Sequence, residues 1–337
     1  MAANNHDKKQ KPSNPLPLTV GFVAPSSPVP AAIFGAGIQR MKQSGFDVRV
    51  HPQCTKRHFF FAGDDEVRAE AFFEYAFAGD INILWCARGG YGAARILPLL
   101  DRLTAGSGVP PRKLLVGYSD AIALLEYVRN RWGWCSLHAP MPGIGDFGKM
   151  TAQEWAVMLG LIRQGGQAFA PRKVEFITKR PSHAVSARLV GGNLSVLASM
   201  AGTRFAVTAH SKILFIEDVG ERLYKIDRMA RQLAGVGILD GAKAIVLGTF
   251  EGCDDVVPHA PVVSGSCEKP KPLRAKIQQL AGLKEIFGSL ASQLGIPVAY
   301  GLKTGHGSGM MALPLGADYT LGADGLLRLL DWDWTAG

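Results

Sequence analysis

A serine at position 119 ends the apolar run LLVGYS, and a helical pattern, DAIALLEYV, begins directly behind it. A hydroxyl on such a strand-to-helix elbow is pushed out of the sheet. The backbone N–H groups and the dipole of the helix start then face the place where an oxyanion would form. GxSxG hydrolases present a nucleophile in this way. Here the string is G-Y-S-D-A and lacks the second glycine, so for these letters alone a helix N-cap at Ser119 or Asp120 is the simpler reading. A serine becomes a nucleophile only when a base takes its proton, and the base needs an orienting partner. Among the 8 histidines, His306 stands out, because TGHGSG is a glycine-flanked loop with few packing reasons to hold an imidazole. Glu217 and Asp218 close the apolar run ILFIEDVGE, at the strand edge where α/β sheets build their sites. A salt-bridged pair, or a cap for the next helix, is the alternative there. In RGGYG, the consecutive Gly89 and Gly90 let backbone approach a ligand closely, so the loop could cradle a phosphate, supply an oxyanion donor or simply turn the chain. It is neither a Walker A nor a GxGxxG motif. Serine, acid and histidine in that order are more than a coincidence of caps.

The elements that must position these groups are legible as alternating units. LTVGFVA, FDVRVHP, INILWCA and KLLVGYS read as strands; AAIFGAGIQRMKQSG, DDEVRAEAFFEYAFAGD, AARILPLLDRL and DAIALLEYVRNRW read as the helices between them. Strand, loop, helix in repetition predicts a parallel sheet with right-handed crossovers. The RGGYG loop and Ser119 then leave adjacent strands at the same edge. The second half is more mixed. Few helix formers occur over residues 165–185, and a Pro-, Gly- and charge-rich segment, Asp254 to Lys276, reads as an insertion. The expected division is a tail over 1–17, an N-terminal domain over 18–165, a linker over 166–185 and a C-terminal domain over 186–337.

With 337 residues, 47% of them hydrophobic, the chain can bury a sizeable core. No apolar run reaches 18 residues, so no transmembrane helix is expected, and the polar N-terminus does not read as a secretory signal. Five widely spaced cysteines without a CxxC pair point to reduced thiols rather than to disulfides or zinc. The formal charge of +9 has no basic stripe interleaved with aromatics, so nucleic acid is not the expected partner; an anionic small substrate suits it as well.

The strings APSSPV, ARGGYGAARILPLLD, LVGYSDAIALL, SLHAPM, LVGGNLSVLASMAGT, LFIEDVGERLYKIDRM and GIPVAYGLKTGHGSGMMALPLGA together resemble the LD-carboxypeptidase, or muramoyltetrapeptide carboxypeptidase, family. The likeness runs from about Leu18 to the last strand. It implies an N-terminal flavodoxin-like parallel-sheet domain, a smaller mixed α/β C-terminal domain, a site between them and a homodimer. It also implies a serine peptidase whose nucleophile is Ser119, acid Glu217 and base His306, with the backbone N–H groups of Gly90 and Asp120 as the oxyanion hole. Arg88, beside Gly89 and Tyr91, is the candidate for reading a substrate carboxylate. The family reaction releases D-Ala from muropeptide tetrapeptides by cutting between an L-centre and D-Ala, which fits cytoplasmic recycling of cell-wall fragments. No cofactor or metal is required, and neither membrane nor nucleic acid is an implied partner. The extended tail and the 254–276 segment depart from the family pattern and bear on the substrate. A microcin-immunity-like hydrolase of peptide–nucleotide conjugates is the alternative enzyme, although no tryptophan lies in that segment to stack on a base. A non-catalytic binder using RGGYG as an anion cradle is the other alternative; it requires Ser119, Glu217 and His306 to lie far apart.

Overall fold

The computed structural model describes residues 18–254 and 272–335, so the N-terminal tail and most of the 254–276 segment lie outside the described residues. The first part alternates as expected: β1 (Thr19–Val23), α1 (Ala31–Gln43), β2 (Asp47–Val50), α2 (Asp65–Phe77), β3 (Ile83–Cys86), α3 (Ala93–Ser107), β4 (Leu114–Gly117), α4 (Ile122–Arg131), β5 (Cys135–His138), α5 (Gly145–Lys149) and α6 (Ala152–Gln164). The strands lie parallel in the order β2-β1-β3-β4-β5, the flavodoxin-type order. All residues of β3 and β4 are buried, because helices cover both faces of a parallel sheet. Local chemistry sets the helix starts. Asp64 caps α2 by accepting from the Val67 N–H, and Thr151 with Glu154 forms a capping box on α6.

The second part contains β6 (Arg172–Lys173), β7 (Glu175–Phe176), β8 (Val185–Asn193), α7 (Leu194–Met200), β9 (Ile213–Val219), α8 (Leu223–Gly235), β10 (Ala244–Glu251), α9 (Pro272–Leu294), β11 (Val298–Tyr300), β12 (Leu313–Leu315), β13 (Asp318–Leu321) and β14 (Leu326–Asp331). Its sheet runs β6-β14-β13-β8-β9-β10-β11-β7. The four central strands, β8 to β11, are parallel, and antiparallel neighbours flank them on both sides. Residues 272–276, expected in the loop, belong to α9 instead. Their Leu-Arg-Ala-Lys run has good helix propensity, which the prolines before it obscure.

Two features lock the sheets together. Strand β12 leaves the second part and pairs antiparallel with β5, placing Leu313 opposite His138. Helix α4 is buried throughout Ile122–Val128, because it lies between the two layers rather than on a surface. A Cβ on Gly192 would collide with Ile122, so β8 meets α4 at backbone distance. The Glu126 carboxylate of α4 accepts the Gly191 N–H at 3.0 Å. The helix that begins behind Ser119 is thereby registered against the sheet that carries Glu217. Among the described residues, no helix is long and apolar enough to cross a membrane.

Candidate active site

Ser119 stands where β4 ends, half-buried, with φ of +60°. That region is unusual for a residue with a Cβ and marks a backbone held by its surroundings. Neither Ser119 nor Asp120 caps the helix behind it by a side-chain hydrogen bond. The Asp120 carboxylate turns away: Oδ2 accepts from Ser26 Oγ at 2.5 Å and from the Ala93 N–H at 2.8 Å. Asp120 therefore caps α3, the helix after the glycine loop, and ties that loop and the loop after β1 to the elbow. Burial pushes this carboxyl up, only partly opposed by the Ser26 and Ala93 bonds and the Arg68 charge.

The glycine loop lies against the serine. A Cβ added to Gly89 would sit 3.3 Å from Ser119 Oγ, and one on Gly90, at φ +121°, would come 2.9 Å from Ser27 Cβ. Glycine is required at Gly90, and a Cβ at Gly89 would force Ser119 or Met141 to give way. Arg88 is half-buried and donates to the Pro28 carbonyl at 2.7 Å, while Tyr91 is exposed and lies beside Phe60 and Phe61. Beneath the loop, the buried Arg68 donates to the carbonyls of Pro25 and Gly92. Gln53, also buried, exchanges bonds with both the N–H and the carbonyl of Ala24.

His306 and Glu217 meet. Glu217 sits fully buried on β9, and its Oε2 lies 2.8 Å from His306 Nδ1 and accepts the His306 backbone N–H at 3.0 Å. A carboxylate only accepts, so Nδ1 carries the proton and Nε2 is left unprotonated, able to take one. Burial alone would raise the Glu217 pKa, but the His306 ring and backbone bonds and the neighbouring imidazoles outweigh it and hold it below its ordinary value. The histidine loop spans the gap between β11 and β12. Gly305, at φ +120°, permits it, since a Cβ there would come 2.7 Å from Glu217 Oε2. The loop's other anchors are the Thr249 N–H donating to the Thr304 carbonyl at 2.9 Å, and Arg172, which donates to Thr304 Oγ1 at 3.1 Å and to the Ala312 carbonyl at 2.5 Å.

The imidazole of His306 packs on the Tyr118 ring, with centroids 4.8 Å apart, so it rests on the residue that precedes the serine. Through that contact the Glu217–His306 pair of the second sheet meets the end of β4, where Ser119 and the glycine loop lie. Asp218 does different work. It accepts from Asn193, Ser195 and the Val219 N–H, which fixes the start of α7. Sequence reading passed over the duties of Arg68, Gln53, Arg172 and the Asp120 carboxylate. Arg68 looks like an ordinary charge paired with Asp65 on its own helix, and the partners that matter at the site for all four lie well along the chain.

Models of the LD-carboxypeptidase N-terminal and C-terminal domains match residues 20–139 and 186–321. The murein tetrapeptide carboxypeptidase of Pseudomonas aeruginosa is 30% identical over 309 residues, covering 90% of this chain and 92% of that one. The crystal structure of muramoyltetrapeptide carboxypeptidase from Oxalobacter formigenes is similar at 31% identity and a TM-score of 0.70, covering 92% of this chain and 97% of that one. The microcin C7 self-immunity protein of Escherichia coli is 24% identical over 336 residues, covering 91% of each chain. With both domain models matched in order along one chain, the protein belongs to the LD-carboxypeptidase family of serine peptidases.

Proposed function

We propose that the protein releases the terminal D-Ala from muropeptide tetrapeptides, with Ser119 as nucleophile, His306 as base and Glu217 as its orienting acid. The observation that carries this reading is the 2.8 Å contact of His306 Nδ1 with the buried Glu217 carboxylate, beside an elbow whose serine holds φ +60°. The similarity to a murein tetrapeptide carboxypeptidase over nearly the whole chain supports the substrate class. In this reading Ser119 Oγ attacks the carbonyl carbon of the L-centre while His306 Nε2 takes the hydroxyl proton. Glu217 fixes the tautomer and stabilises the imidazolium. The N–H groups of Asp120 and Gly90 receive the oxyanion, and His306 returns its proton to the departing D-Ala amine. Water then attacks the acyl-serine with His306 again as base, which frees Ser119. Arg88, Gly89 and Tyr91 border the cleft, and Arg88 is the group for a substrate carboxylate. Cytoplasmic recycling by a homodimer belongs to the same proposal, supported by the family likeness and by cysteine usage without a disulfide frame.

The test is incubation with disaccharide-tetrapeptide and mass spectrometry of the products. Loss of one alanine mass, abolished in Ser119→Ala down to roughly 10³–10⁴-fold over the water reaction, is the expected result. Undiminished release by Ser119→Ala overturns the assignment. Cleavage of an aminoacyl-sulfamoyl nucleoside, with the tetrapeptide left intact, replaces the substrate while keeping the triad.

A further inference from the structure

We propose that His138 is a positioning residue for the Glu217–His306 pair, its Nε2–H directed at the carboxylate oxygen that His306 does not use. His138 ends β5, directly opposite Gly117 on β4, and is fully buried. Its Nε2 lies 4.0 Å from Glu217 Oε1. Both His138 ring nitrogens and Glu217 Oε1 are buried without a hydrogen-bond partner among the described residues. Glu217 thus engages His306 twice through Oε2 and shows its bare second oxygen to a second imidazole. Buried polar groups left unmade are costly, and a bare carboxylate oxygen more so than most. Among the described residues the rest of the cage is its own backbone carbonyl, which also draws a ring proton, and the rings of Tyr118 and Phe215, packed T-shaped at centroid distances of 5.8 and 5.3 Å. The titratable groups that face it are Glu217, His306 and Tyr118.

A contact of 4.0 Å that closes by about 1 Å becomes a charge-assisted hydrogen bond. Burial keeps the imidazole neutral, lowering its pKa to about 4 against the opposing pull of Glu217. A neutral imidazole has one N–H to give, and Nε2 faces the Glu217 carboxylate. The donor would stabilise the Glu217 charge and fix the carboxylate plane, so that Oε2 stays aimed at His306. His138 touches no reacting atom and acts through Glu217. The Nε2–H tautomer is a statement about the ring itself, whereas its kinetic consequence rests on the peptidase reading above.

His138→Phe keeps the ring and removes the donor; His138→Gln restores an N–H near the same place. For D-Ala release, His138→Phe is expected to lower kcat about ten- to a hundredfold with KM nearly unchanged. The acid limb of kcat/KM should move to higher pH, because a carboxylate without its second donor holds the proton on the His306–Glu217 pair more tightly. His138→Gln should recover much of the loss. The low-field proton resonance of His306 Nδ1–H should move in His138→Phe and return in His138→Gln. Wild-type kcat, pH profile and resonance in a folded His138→Phe would overturn the proposal. If that variant does not fold, the ¹⁵N shifts of His138 in the wild-type protein decide: a neutral Nε2–H tautomer supports it, and an Nδ1–H tautomer overturns it. Ser119→Ala run alongside separates the two levels. Full activity there refutes the peptidase reading, whereas its loss beside an unaffected His138→Phe refutes only the role of His138.

Discussion

Ser119 keeps a left-handed backbone that would relax if its neighbours let it, at a cost of about 1–3 kcal/mol. Tyr118 and Asp120 on either side are buried, and the Asp120 carboxylate is held by Ser26 and by the first N–H of α3. The residue that shapes the elbow is therefore the aspartate as much as the serine. Asp120→Ala leaves the Ala93 N–H and the Ser26 hydroxyl in a buried site without their acceptor. It should lower unfolding free energy by about 1–3 kcal/mol in urea titration and lower kcat as the elbow relaxes. Asp120→Asn retains an accepting oxygen and should lose much less stability. In the proposed reading, no one of the three positions was decided by its own letters: a cap explains Ser119 and Asp120 more simply, and only Ser119, Glu217 and His306 taken together, with the family resemblance, mark them out. The carboxylate of Asp120 was not legible. It does cap a helix, but α3 rather than the one it starts, and Ser26 lies 94 residues away.

At the scale of elements, the site depends on a loop that can run only where glycine stands. Gly305 holds φ +120° and brings the His306 N–H to Glu217; a methyl there would meet Thr249 and the Glu217 carboxylate. Gly305→Ala should detach His306 from Glu217 and, with His306 as the proposed base, lower kcat by roughly 10²-fold or more, since proton transfer to a misplaced base forfeits its catalytic contribution. Far-UV circular dichroism should stay unchanged, because the loop belongs to neither sheet; wild-type turnover by Gly305→Ala would break the link between loop path and chemistry. The first four parallel strands and most of their helices could be read directly, since runs such as ILWC and LLVG are apolar at every position and glycine- or acid-rich turns bound them; β5, the fifth, was not read as a strand. The two-residue strands β6 and β7 could not, because such segments are too short for a period. The helical start of α9 was hidden by prolines that open it rather than break it.

Across the whole molecule, one buried histidine should govern how the fold meets acid. Two sheets are joined by β12 and α4, and His138 lies at that junction: its backbone pairs with Leu313 and its ring faces the second sheet at Glu217 and Phe215. In the folded state burial lowers its pKa from 6.5 to about 4. Between those values the unfolded chain takes up a proton that the folded protein refuses, so stability falls as pH decreases through that window. The effect is on the order of 3 kcal/mol for one such group. Glu217, held below its ordinary 4.5, adds stability that is fully present above that value and is lost as pH falls through its folded pKa, so its share follows. Asp120 and Asp218, both raised mainly by burial, act with the opposite sign: above 3.8 they withdraw stability as pH rises. Comparing variants removes those shared carboxylates from the difference. Unfolding free energy measured from pH 7 to pH 4 should fall more steeply for the wild-type protein than for His138→Phe, by close to one proton over the window. Parallel curves would mean that His138 takes up its proton inside the fold as readily as outside it, and that the junction of the two sheets is wet enough to hold a second charge beside His306.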